Sequence, residues 1–440
     1  MDKTVLQAHR LEGSVVPPGD KSISQRAILL NSIATGPTHV SNLCVGDDRA
    51  SILRCMRGLG AEITRYAPCV DHGNEECFHL NGGGPESLSE PVEVLDAGNS
   101  GTTTRLVTGL LAAQPFFSII SGDRSLRSRP MDRIVKPLSR MGAQIFGRNE
   151  GALAPLAVRG GGLKGIDHTQ SVASAQVKSS LLIAGLHADG ATSVSEPVRS
   201  RDHTERMLHS MGADIAVDDL RVTVRRSALA PVDVAVPGDI SSAAFWLVAG
   251  CAHPNAHIRV EGVGINPTRS GVLDVLRAMG AELRLEDVHD ERDEPVADIV
   301  VESSRLVGTE IHGEVVPRAI DELPALALAA SLARGTTVIR DAGELRVKES
   351  DRIAATVDGL TRLGARIEER PDGMAIHGVD KLKGAQCDSY GDHRIAMTMA
   401  IAGLIAEGET VLSGVEAGDV SYPGFWDVMR ELSGHRSPVA

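Results

Sequence analysis

The sequence lacks the apolar runs of a membrane protein and the basic excess of a nucleic-acid-binding protein. No stretch approaches the ~18 apolar residues that a membrane span requires, and the N-terminus lacks the apolar core of a signal peptide. The formal net charge is −13 over 440 residues, which leaves no basic footprint for a phosphate backbone. We therefore expect a cytoplasmic protein with no nucleic acid or membrane as a partner, and any anion site must be a local cluster of positive charge.

Cysteines and aromatic residues are also scarce. The six cysteines form no Cys-x-x-Cys pair and are too sparse for a disulfide-stapled scaffold, which favours a reducing compartment. Aromatic residues make up 2% of the chain and glycine occurs 46 times, so we expect aliphatic cores with many tight turns. A chain of 440 residues is long enough for about two or three domains.

Signatures of nucleotide and metal sites are missing as well. A P-loop requires glycine directly before Lys-Ser, and Asp20 stands there instead. One Gly-Asn loop contains possible metal ligands, but they lack the paired spacing of a metal site. These ligands are His72, Glu75, Glu76, Cys77 and His79. We expect no metal and no cofactor.

A pentapeptide of the form Leu/Met-Gly-Ala-x-Ile/Leu recurs along the chain at intervals of roughly 70 to 85 residues, beyond the solenoid range. Its copies begin at Leu59, Met141, Met211, Met279 and Leu363. Each copy follows a helix-like run, so its glycine is expected to cap a helix and its apolar residue to begin a strand. A sixth helix, near 427–434, ends without its strand. Such exits also occur in unrelated α/β proteins, but the near-identical copies favour six modules, three in each of two similar domains.

Two similar turns suggest how the chain passes between these domains. Pro18-Gly19-Asp20 and Pro237-Gly238-Asp239 each precede a serine-rich helix start, and we interpret them as paired crossover strands. The predicted domains are then a discontinuous one, residues 1–19 plus 237–440, and an inserted one, residues 20–236. We expect both turns to face a cleft between the domains.

The first of these turns opens the most informative motif. After the turn come Lys21, Ser22 and Arg26, which place two cations and a hydroxyl within six positions. If a helix begins near Ser22, then Ser22 and Arg26 share one face and the first amides are available to bind oxyanions. The alternative is a capped helix with a solvated basic face.

Further polar turns in the first half of the chain have both a binding and a structural interpretation. The run 95–106 offers a Gly-Asn-Ser-Gly turn before a helix, which is an anion cradle or a plain connection. Three arginines precede Pro130 and form either a fork for an oxyanion or a solvated face. The run 174–180 supplies hydroxyls and an amide before an apolar helix, and 199–205 is a charged turn or a capping arrangement.

The second half of the chain concentrates carboxylates and cations. Asp321 and Glu322 precede an alanine-rich helix, and one of them could act as a general base. Lys348 and Arg352 stand four residues apart with Glu349 beside them, as on one helical turn, although a surface ion-pair ladder would have the same pattern. The run 391–394 adds Asp-His-Arg.

Together these motifs resemble those of the EPSP synthase family of enolpyruvyl transferases, nearly end to end. The shared motifs, in family order, are Pro-Gly-Asp-Lys-Ser-Ile-Ser, Gly-Asn-Ser-Gly-Thr, Arg-Pro-Met, Arg-Val-Lys-Glu-Ser-Asp-Arg and Asp-His-Arg. The resemblance implies an α/β fold of two similar domains, each an inside-out barrel of three βαβαββ repeats. A two-strand hinge would join the domains, with the active site in the cleft. We expect a monomer.

The resemblance also implies the reaction and its binding residues. The family transfers the enolpyruvyl group of phosphoenolpyruvate to the 5-hydroxyl of shikimate 3-phosphate, on the way to chorismate and the aromatic amino acids. Positions matching the shikimate 3-phosphate site are Lys21, Ser22, Arg26, Ser174, Ala175, Gln176, Arg201, Asp321 and Lys348. Positions matching the phosphoenolpyruvate site are Lys21, Asn99, Gly101, Arg129, Gln176, Arg352 and Arg394.

Three residues are expected to be catalytic. The chemistry needs an acid, a base and cations that bear the phosphate charge. We assign proton exchange at the methylene carbon to Glu349, the base toward the hydroxyl to Asp321, and proton movement at the leaving phosphate to Lys21.

Two positions bear on how the chain compares with its family. Many members carry a lysine before a Ser/Thr-Phe-Pro segment, where this chain reads Val420-Ser421-Tyr422-Pro423, as in a divergent subgroup. One contact to phosphoenolpyruvate is therefore in doubt. Gly101 stands where alanine accompanies glyphosate tolerance, so we expect sensitivity to that inhibitor.

Two other functions fit the same resemblance. UDP-N-acetylglucosamine enolpyruvyl transferases share the architecture but use a loop cysteine as the acid, and no cysteine lies in the arginine-rich segment 121–131. A non-catalytic anion-binding protein of this fold would bind without turnover, whereas the intact set of Asp321, Lys348 and Glu349 favours an enzyme.

Overall fold

The computed structural model describes residues 1–69 and 76–434. The α-helices of these residues are α1 (Lys21–Ser32), α2 (Asp47–Gly58), α3 (Gly101–Ala113), α4 (Asp132–Met141), α5 (Ala175–Gly185), α6 (His203–Ser210), α7 (Ile240–Ala252), α8 (Gly271–Ala278), α9 (Val315–Ala319), α10 (Leu323–Ser331), α11 (Arg352–Arg362), α12 (His393–Ile405) and α13 (Phe425–Ser433). Within these ranges, every helix is too short or too polar to cross a membrane.

The strands are short, and most of them pair within four-stranded sheets. They are β1 (Asp2–Leu6), β2 (Leu11–Val15), β3 (Thr35–Ser41), β4 (Glu62–Tyr66), β5 (Cys77–Gly83), β6 (Leu95–Asp96), β7 (Phe117–Ser121), β8 (Gln144–Arg148), β9 (Leu153–Arg159), β10 (Asp167–Thr169), β11 (Thr192–Ser195), β12 (Ile215–Asp218), β13 (Arg221–Val224), β14 (Val234–Ala235), β15 (Ala256–Gly264), β16 (Glu282–Glu291), β17 (Glu294–Glu302), β18 (Glu310–Ile311), β19 (Thr336–Ile339), β20 (Arg366–Arg370), β21 (Gly373–His377), β22 (Gln386–Asp388) and β23 (Glu409–Ser413).

The contacts between residues divide the chain into two units. What we call the inserted unit consists of Gly19–Val236 together with Asp290–Glu294. What we call the discontinuous unit consists of the remaining segments, which are Met1–Pro18, Pro237–His289 and Pro295–Ala440.

The inserted unit contains three sheets with the same strand order, β14-β3-β5-β4, β6-β7-β9-β8 and β10-β11-β13-β12. In each, the first two strands are parallel and the later neighbours antiparallel. The second and third sheets follow the chain as βαβαββ, which confirms the predicted repeat. In the first sheet, the first strand is β14, which lies near the C-terminal end of the inserted segment and pairs in parallel with β3.

The discontinuous unit repeats this plan with one variation. Its sheets are β2-β15-β17-β16, β18-β19-β21-β20 and β1-β23-β22. Strand β2, from before the inserted segment, pairs in parallel with β15. The last module ends at α13 and has β1 antiparallel to β23 in place of its own hairpin, so the sixth helix without a strand is confirmed for residues up to 434.

Each Pro-Gly-Asp turn follows a strand that pairs with a strand far away in the sequence. The first turn follows β2, which pairs with β15, and the second follows β14, which pairs with β3. The backbone N–H of Asp239 donates to the carbonyl of Pro18 at 2.8 Å, which confirms that the turns are adjacent. At the first turn the chain passes into the inserted unit, between Pro18 and Gly19, and at the second it returns, between Val236 and Pro237.

The five repeated glycines adopt the conformation that the sequence predicts. Gly60, Gly142, Gly212, Gly280 and Gly364 have φ values of 89°, 116°, 79°, 82° and 95°. Side chains with a Cβ are strained there, so glycine ends each helix and turns the chain into a strand.

Apolar helices form the centre of the discontinuous unit. In the discontinuous unit α7, α10 and α12 pack on one another, and all residues of α12 are buried. A helix that is apolar all round has no face for water, so it lies inside while the sheets cover it. Each of these central helices begins directly after a polar motif, which places those motifs at helix N-termini.

Candidate active site

In the inserted unit, the predicted motifs lie at the N-termini of α1, α3 and α5. The residue before each helix, Asp20, Ser100 or Ser174, accepts a hydrogen bond from the backbone N–H three positions later, at 2.8, 3.2 and 3.4 Å. The helix predicted near Ser22 is confirmed, since α1 begins at Lys21. Helix starts present amides and a partial positive charge, which suits an oxyanion.

Lys21 is held at this end of α1 by a carboxylate that the sequence reasoning missed. Its Nζ lies 3.4 Å from Asp48 Oδ2, and Asp48 Oδ1 also accepts from Gln25 at 3.0 Å and from the Ser100 hydroxyl. Burial alone would raise the pKa of Asp48, but the Lys21 charge and these hydrogen bonds outweigh it and hold the pKa below its ordinary value. The Lys21 side chain is 38% exposed, so its ammonium group is oriented and still accessible.

Arg129 and Asn99 flank the start of α3. Arg129 Nη2 donates to Asn99 Oδ1 at 2.5 Å, and Asn99 Nδ2 donates to Asp123 Oδ2 at 2.6 Å. A Cβ on Gly101 would lie 2.9 Å from Arg105 Nη1 and 3.4 Å from Arg129 Nη1. The missing side chain thus lets two guanidinium groups approach the helix start.

Gln176 links α5 to α3. Arg105 Nη1 donates to Gln176 Oε1 at 2.5 Å, and Gln176 Nε2 donates to Thr102 Oγ1 at 2.8 Å. Ala175, also predicted to bind, is the first residue of α5. Arg105 was not assigned from the sequence, although its position four residues after Gly101 on one helix face was a usable signal.

Arg26 is almost fully buried, at 3% exposure. It donates to the Ser22 carbonyl at 2.8 Å, to Ser179 Oγ at 2.8 Å and to Thr204 Oγ1 at 2.6 Å. Burial, with a smaller contribution from the charge of Arg201, lowers the pKa of Arg26 to about 10. These bonds fix the turn that carries Ser22, and substrate binding by Arg26, Ser22 and Arg201 stays a prediction.

In the discontinuous unit, Arg352 is the centre of the cluster and only 1% of its side chain is exposed. Its Nη2 donates to Glu349 Oε2 at 2.6 Å, its Nη1 to Asp321 Oδ1 at 3.3 Å and its Nε to Asp392 Oδ2 at 2.8 Å. Burial disfavours its charge, but the three carboxylates outweigh burial and raise the pKa of Arg352. A surface ion-pair ladder would be exposed, so that interpretation is wrong here.

The predicted helical spacing of Lys348 and Arg352 is wrong. A 3₁₀ helix ends at Val347, and α11 begins only at Arg352, where Asp351 accepts from the backbone N–H of Ala354 at 3.1 Å. Because this cap begins a new helix after Lys348, the two cations do not share a helical face. They meet at Asp321 instead, whose Oδ1 lies 3.8 Å from Lys348 Nζ.

Arg394 lies in a buried polar group at the first turn of α12. Its Nη1 is 3.9 Å from Glu322 Oε1, and Glu322 also receives a hydrogen bond from the Ser241 hydroxyl. Arg269 donates to Ser241 Oγ at 2.6 Å and lies 3.5 Å from Glu322. Glu322 therefore lies beside two arginines, a role that the sequence did not assign to it.

The segment that departs from the family pattern is used for packing. Tyr422 is buried, and its hydroxyl accepts from Trp246 Nε1 at 3.1 Å while its ring meets that of Phe425 edge-on at 5.7 Å. Burial raises the pKa of Tyr422 to about 12. Val420 is exposed, and the loss of a contact to phosphoenolpyruvate at this position stays a prediction.

Comparisons with known proteins identify the family. The model of the family "EPSP synthase (3-phosphoshikimate 1-carboxyvinyltransferase)" matches residues 5–429. The chain belongs to the EPSP synthase family. A 3-phosphoshikimate 1-carboxyvinyltransferase of Pelotomaculum thermopropionicum is 53% identical over 98% of this chain and 99% of its own length. A 3-phosphoshikimate 1-carboxyvinyltransferase of a Synechococcus species is 52% identical over 98% of this chain and 96% of its own length.

The comparison with solved structures leads to the same family. An EPSP synthase of Acinetobacter baumannii is 41% identical and superposes with a TM-score of 0.89, covering 98% of each chain. The enolpyruvyl transferase NikO of Streptomyces tendae is only 19% identical and, with a TM-score of 0.78, shares the fold. The α/β fold that the resemblance implied for this chain is therefore confirmed.

The positions predicted from the EPSP synthase motifs fall into one group in each unit. The inserted unit brings together the starts of α1, α3 and α5 with Arg129 and Asn99. The discontinuous unit brings together Asp321, Lys348, Glu349 and Arg352, with Arg394 at the start of α12. The partners that the motifs did not assign are Asp48, Arg105, Arg269, Glu322 and Asp392.

Proposed function

We propose that this chain transfers the enolpyruvyl group of phosphoenolpyruvate to the 5-hydroxyl of shikimate 3-phosphate, releasing phosphate and 5-enolpyruvylshikimate 3-phosphate. The observation that carries the proposal is the set of three carboxylates around one buried arginine, in a chain 53% identical to a 3-phosphoshikimate 1-carboxyvinyltransferase over nearly all its length. The relatives' names do not favour UDP-N-acetylglucosamine as the acceptor.

The inserted unit supplies groups that suit two anionic substrates. Lys21 adds a charge beside the amides of α1, and Arg129 adds a planar donor beside the start of α3. Charge-assisted hydrogen bonds of this kind contribute roughly 1.5–3 kcal/mol each. Lys21 and Arg129 therefore give these helix starts a local positive charge, although the chain as a whole has a net negative charge.

The reaction is an addition followed by an elimination. In the addition, the methylene carbon of phosphoenolpyruvate gains a proton, and the acceptor hydroxyl loses its proton as its oxygen bonds to the adjacent carbon. In the elimination, the new methyl group returns a proton and the carbon–oxygen bond to phosphate breaks, which restores the double bond. Each step needs one group that donates and one that accepts a proton.

Glu349 is positioned to exchange the proton at the methylene carbon. Arg352 fixes its Oε2 at 2.6 Å, and with 35% of its side chain exposed it can reach a bound substrate. Asp321 is less exposed, at 14%, and lies between Arg352 and Lys348, which orients it as the base toward the hydroxyl. Lys21 assists at the leaving phosphate.

The remaining binding residues follow the family resemblance. Shikimate 3-phosphate is assigned to Lys21, Ser22, Arg26, Ser174, Ala175, Gln176, Arg201, Asp321 and Lys348. Phosphoenolpyruvate is assigned to Lys21, Asn99, Gly101, Arg129, Gln176, Arg352 and Arg394. We further propose that the two units correspond to the two predicted domains, apart from Gly19 and Asp290–Glu294, which belong to the inserted unit. We also propose that the enzyme is a cytoplasmic monomer.

The test is a phosphate-release assay with phosphoenolpyruvate and either shikimate 3-phosphate or UDP-N-acetylglucosamine as acceptor. We expect release with shikimate 3-phosphate alone. Asp321→Ala and Glu349→Ala should each lower turnover by about a hundredfold or more while shikimate 3-phosphate still binds by calorimetry. Lys21→Ala should lower both rate and binding.

Glu368→Gln, an exposed carboxylate on β20, is the matched control and should keep normal turnover. Near-normal turnover in Asp321→Ala or Glu349→Ala would remove that residue from the mechanism. Release with neither acceptor would refute the proposed function and favour a non-catalytic anion-binding protein.

A further inference from the structure

Two cysteines and a histidine meet on the first sheet of the inserted unit, a grouping that the sequence analysis did not foresee. Cys69 and Cys77 form a disulfide, and His39 Nε2 lies 3.3 Å from Cys69 Sγ. The three ligand atoms all lie within 4.8 Å of one another. Within residues 1–69 and 76–434, this is the one group of three such side chains so close together.

Strand register explains why they meet. On β3 and β5, His39 pairs with His79 and Ser41 with Cys77, so these side chains point to one face of the sheet. The alternate residues Val40, Phe78 and Leu80 point to the other face and enter the hydrophobic core. Both cysteines are buried and His39 is half-buried, so the group lies on the face opposite the core helices.

We propose that, when the disulfide is reduced, Cys69, Cys77 and His39 bind a divalent cation of the Zn²⁺ class. Two thiolates and an imidazole are the donors that Zn²⁺ prefers, and three protein ligands leave one position for water. The two thiolate charges would neutralise the cation in a largely buried place. The sequence pointed only to possible ligands close to Cys77, and His39 lies thirty positions before Cys69.

The neighbouring side chains favour these three residues over others. Glu76, next to Cys77, is paired with Arg49 at 2.7 Å and with Arg65, so its carboxylate is already used. The ring of His79 packs on those of His39 and Tyr66, with centroids 5.0 and 4.6 Å away, and limits how His39 can turn. His72 and Glu75, two ligands considered from the sequence, lie outside the described residues.

The other cysteines do not offer an alternative site. Cys44, Cys55, Cys251 and Cys387 are each buried. Within residues 1–69 and 76–434, none of these four belongs to a group of three possible metal ligands.

Metal binding at this site begins with reduction of the disulfide between Cys69 and Cys77. A water-soluble phosphine and one water molecule convert the disulfide into two thiols and a phosphine oxide. Binding of the cation then releases the two thiol protons and forms two metal–sulfur bonds, while His39 contributes a neutral nitrogen.

The test compares the full chain with its disulfide intact and after phosphine reduction. Zn²⁺ bound per chain is measured by equilibrium dialysis and elemental analysis, and Co²⁺ is used as an absorbing substitute. We expect one tight equivalent and a thiolate-to-Co²⁺ charge-transfer band in the reduced chain alone. These readouts need no variant, so they do not depend on how a variant folds.

Variants then assign the ligands. Cys69→Ser and His39→Ala should each weaken Zn²⁺ binding by more than about tenfold, since even groups outside the ligand set account for 10–100-fold. Cys387→Ser, a buried cysteine on β22, is the control and should bind Zn²⁺ normally. A reduced chain without tight Zn²⁺ or a charge-transfer band, or equal affinity in all three variants, overturns the proposal and leaves a disulfide only.

Discussion

Nε of Arg352 donates a 2.8 Å hydrogen bond to Oδ2 of Asp392, and both side chains are almost completely buried. Asp392 also accepts from the backbone N–H of Arg394 at 2.9 Å and so begins α12. Burial alone would raise the pKa of Asp392, but the Arg352 charge and hydrogen bond outweigh it and lower the pKa. Asp392 is therefore a positioning residue that holds Arg352, and through it Glu349 and Asp321.

The first prediction concerns this pair. Asp392→Asn keeps the shape and the cap but leaves the Arg352 charge less compensated in a buried place. Removing one partner of a buried ion pair costs about 3 kcal/mol or more, which we expect as the loss in the free energy of unfolding by urea denaturation. We also expect kcat to fall more than KM rises, because the carboxylates lose their common orientation.

Asp380→Asn is the control for this variant, since Asp380 is exposed. It should change neither stability nor rate. Equal stability of Asp392→Asn and the native chain would show that the pair is not stabilising. A stability loss with unchanged kcat would make Asp392 merely structural.

The second prediction concerns a buried lysine in the inserted unit. Lys178 Nζ lies 2.6 Å from both Glu196 Oε1 and Glu205 Oε1, and only 1% of its side chain is exposed. Lys178→Met leaves two carboxylates without their cation, so we expect a loss of about 3–5 kcal/mol in unfolding free energy. Lys136→Met removes an exposed pair with Asp132 at 3.1 Å and should cost under about 1 kcal/mol. Similar losses in the two variants would contradict this difference.

The third prediction is a pH dependence that involves Asp48. Its pKa in the folded chain is below the ordinary value of about 3.9 that the unfolded chain keeps. Such a group stabilises the fold above about pH 4, and its contribution disappears as the pH falls through the lower folded value. The stability difference between the native chain and Asp48→Asn should thus be constant from about pH 7 to 5 and shrink below about pH 4.

This dependence is measured by urea denaturation at a series of pH values. Asp380→Asn, at an exposed site, should show no such change in its difference from the native chain. A difference for Asp48→Asn that grows as the pH falls would have the wrong sign and would contradict the pairing with Lys21.

The fourth prediction concerns Gly101. An added methyl group would meet Arg105 Nη1 at 2.9 Å and Arg129 Nη1 at 3.4 Å, which are the ends of flexible side chains. We expect Gly101→Ala to fold normally and to displace both guanidinium groups, raising KM for phosphoenolpyruvate by about tenfold through one weakened charge-assisted bond. Steady-state kinetics in both substrates distinguish this from a general loss of activity.

Gly343→Ala is the matched control, because its added Cβ would have only ordinary contacts at 3.7 Å and beyond. An unchanged KM in Gly101→Ala would separate these arginines from phosphoenolpyruvate binding. The native chain should also be inhibited by glyphosate, and full activity at high inhibitor concentration would contradict that expectation.

Much of the site was predictable because its motifs are local. Gly60 and Gly364 end helices through a backbone conformation that few other residues adopt, so the repeats were visible in the sequence. Lys21 and Ser174 stand at helix starts whose caps are short polar side chains, which sequence also reveals.

Other features depend on residues far apart in the chain. The spacing of Lys348 and Arg352 suggested one helix, but Asp351 caps a new one, and the two cations meet at Asp321 some thirty positions earlier. A pattern within one segment contains no information on which distant carboxylate will lie beside it.

The sequence by itself determined the six modules, the apolar central helices and the polar motifs that begin them, because capping, glycine conformation and hydrophobic periodicity act over a few residues. Only the tertiary structure decided which side chains from distant parts of the sequence lie beside one another. Asp48 beside Lys21, Asp392 beside Arg352 and His39 beside Cys69 each require separate elements to pack together. Burial makes the pairing of Arg352 with Asp392 strong, since a charge removed from water depends on its nearest partner.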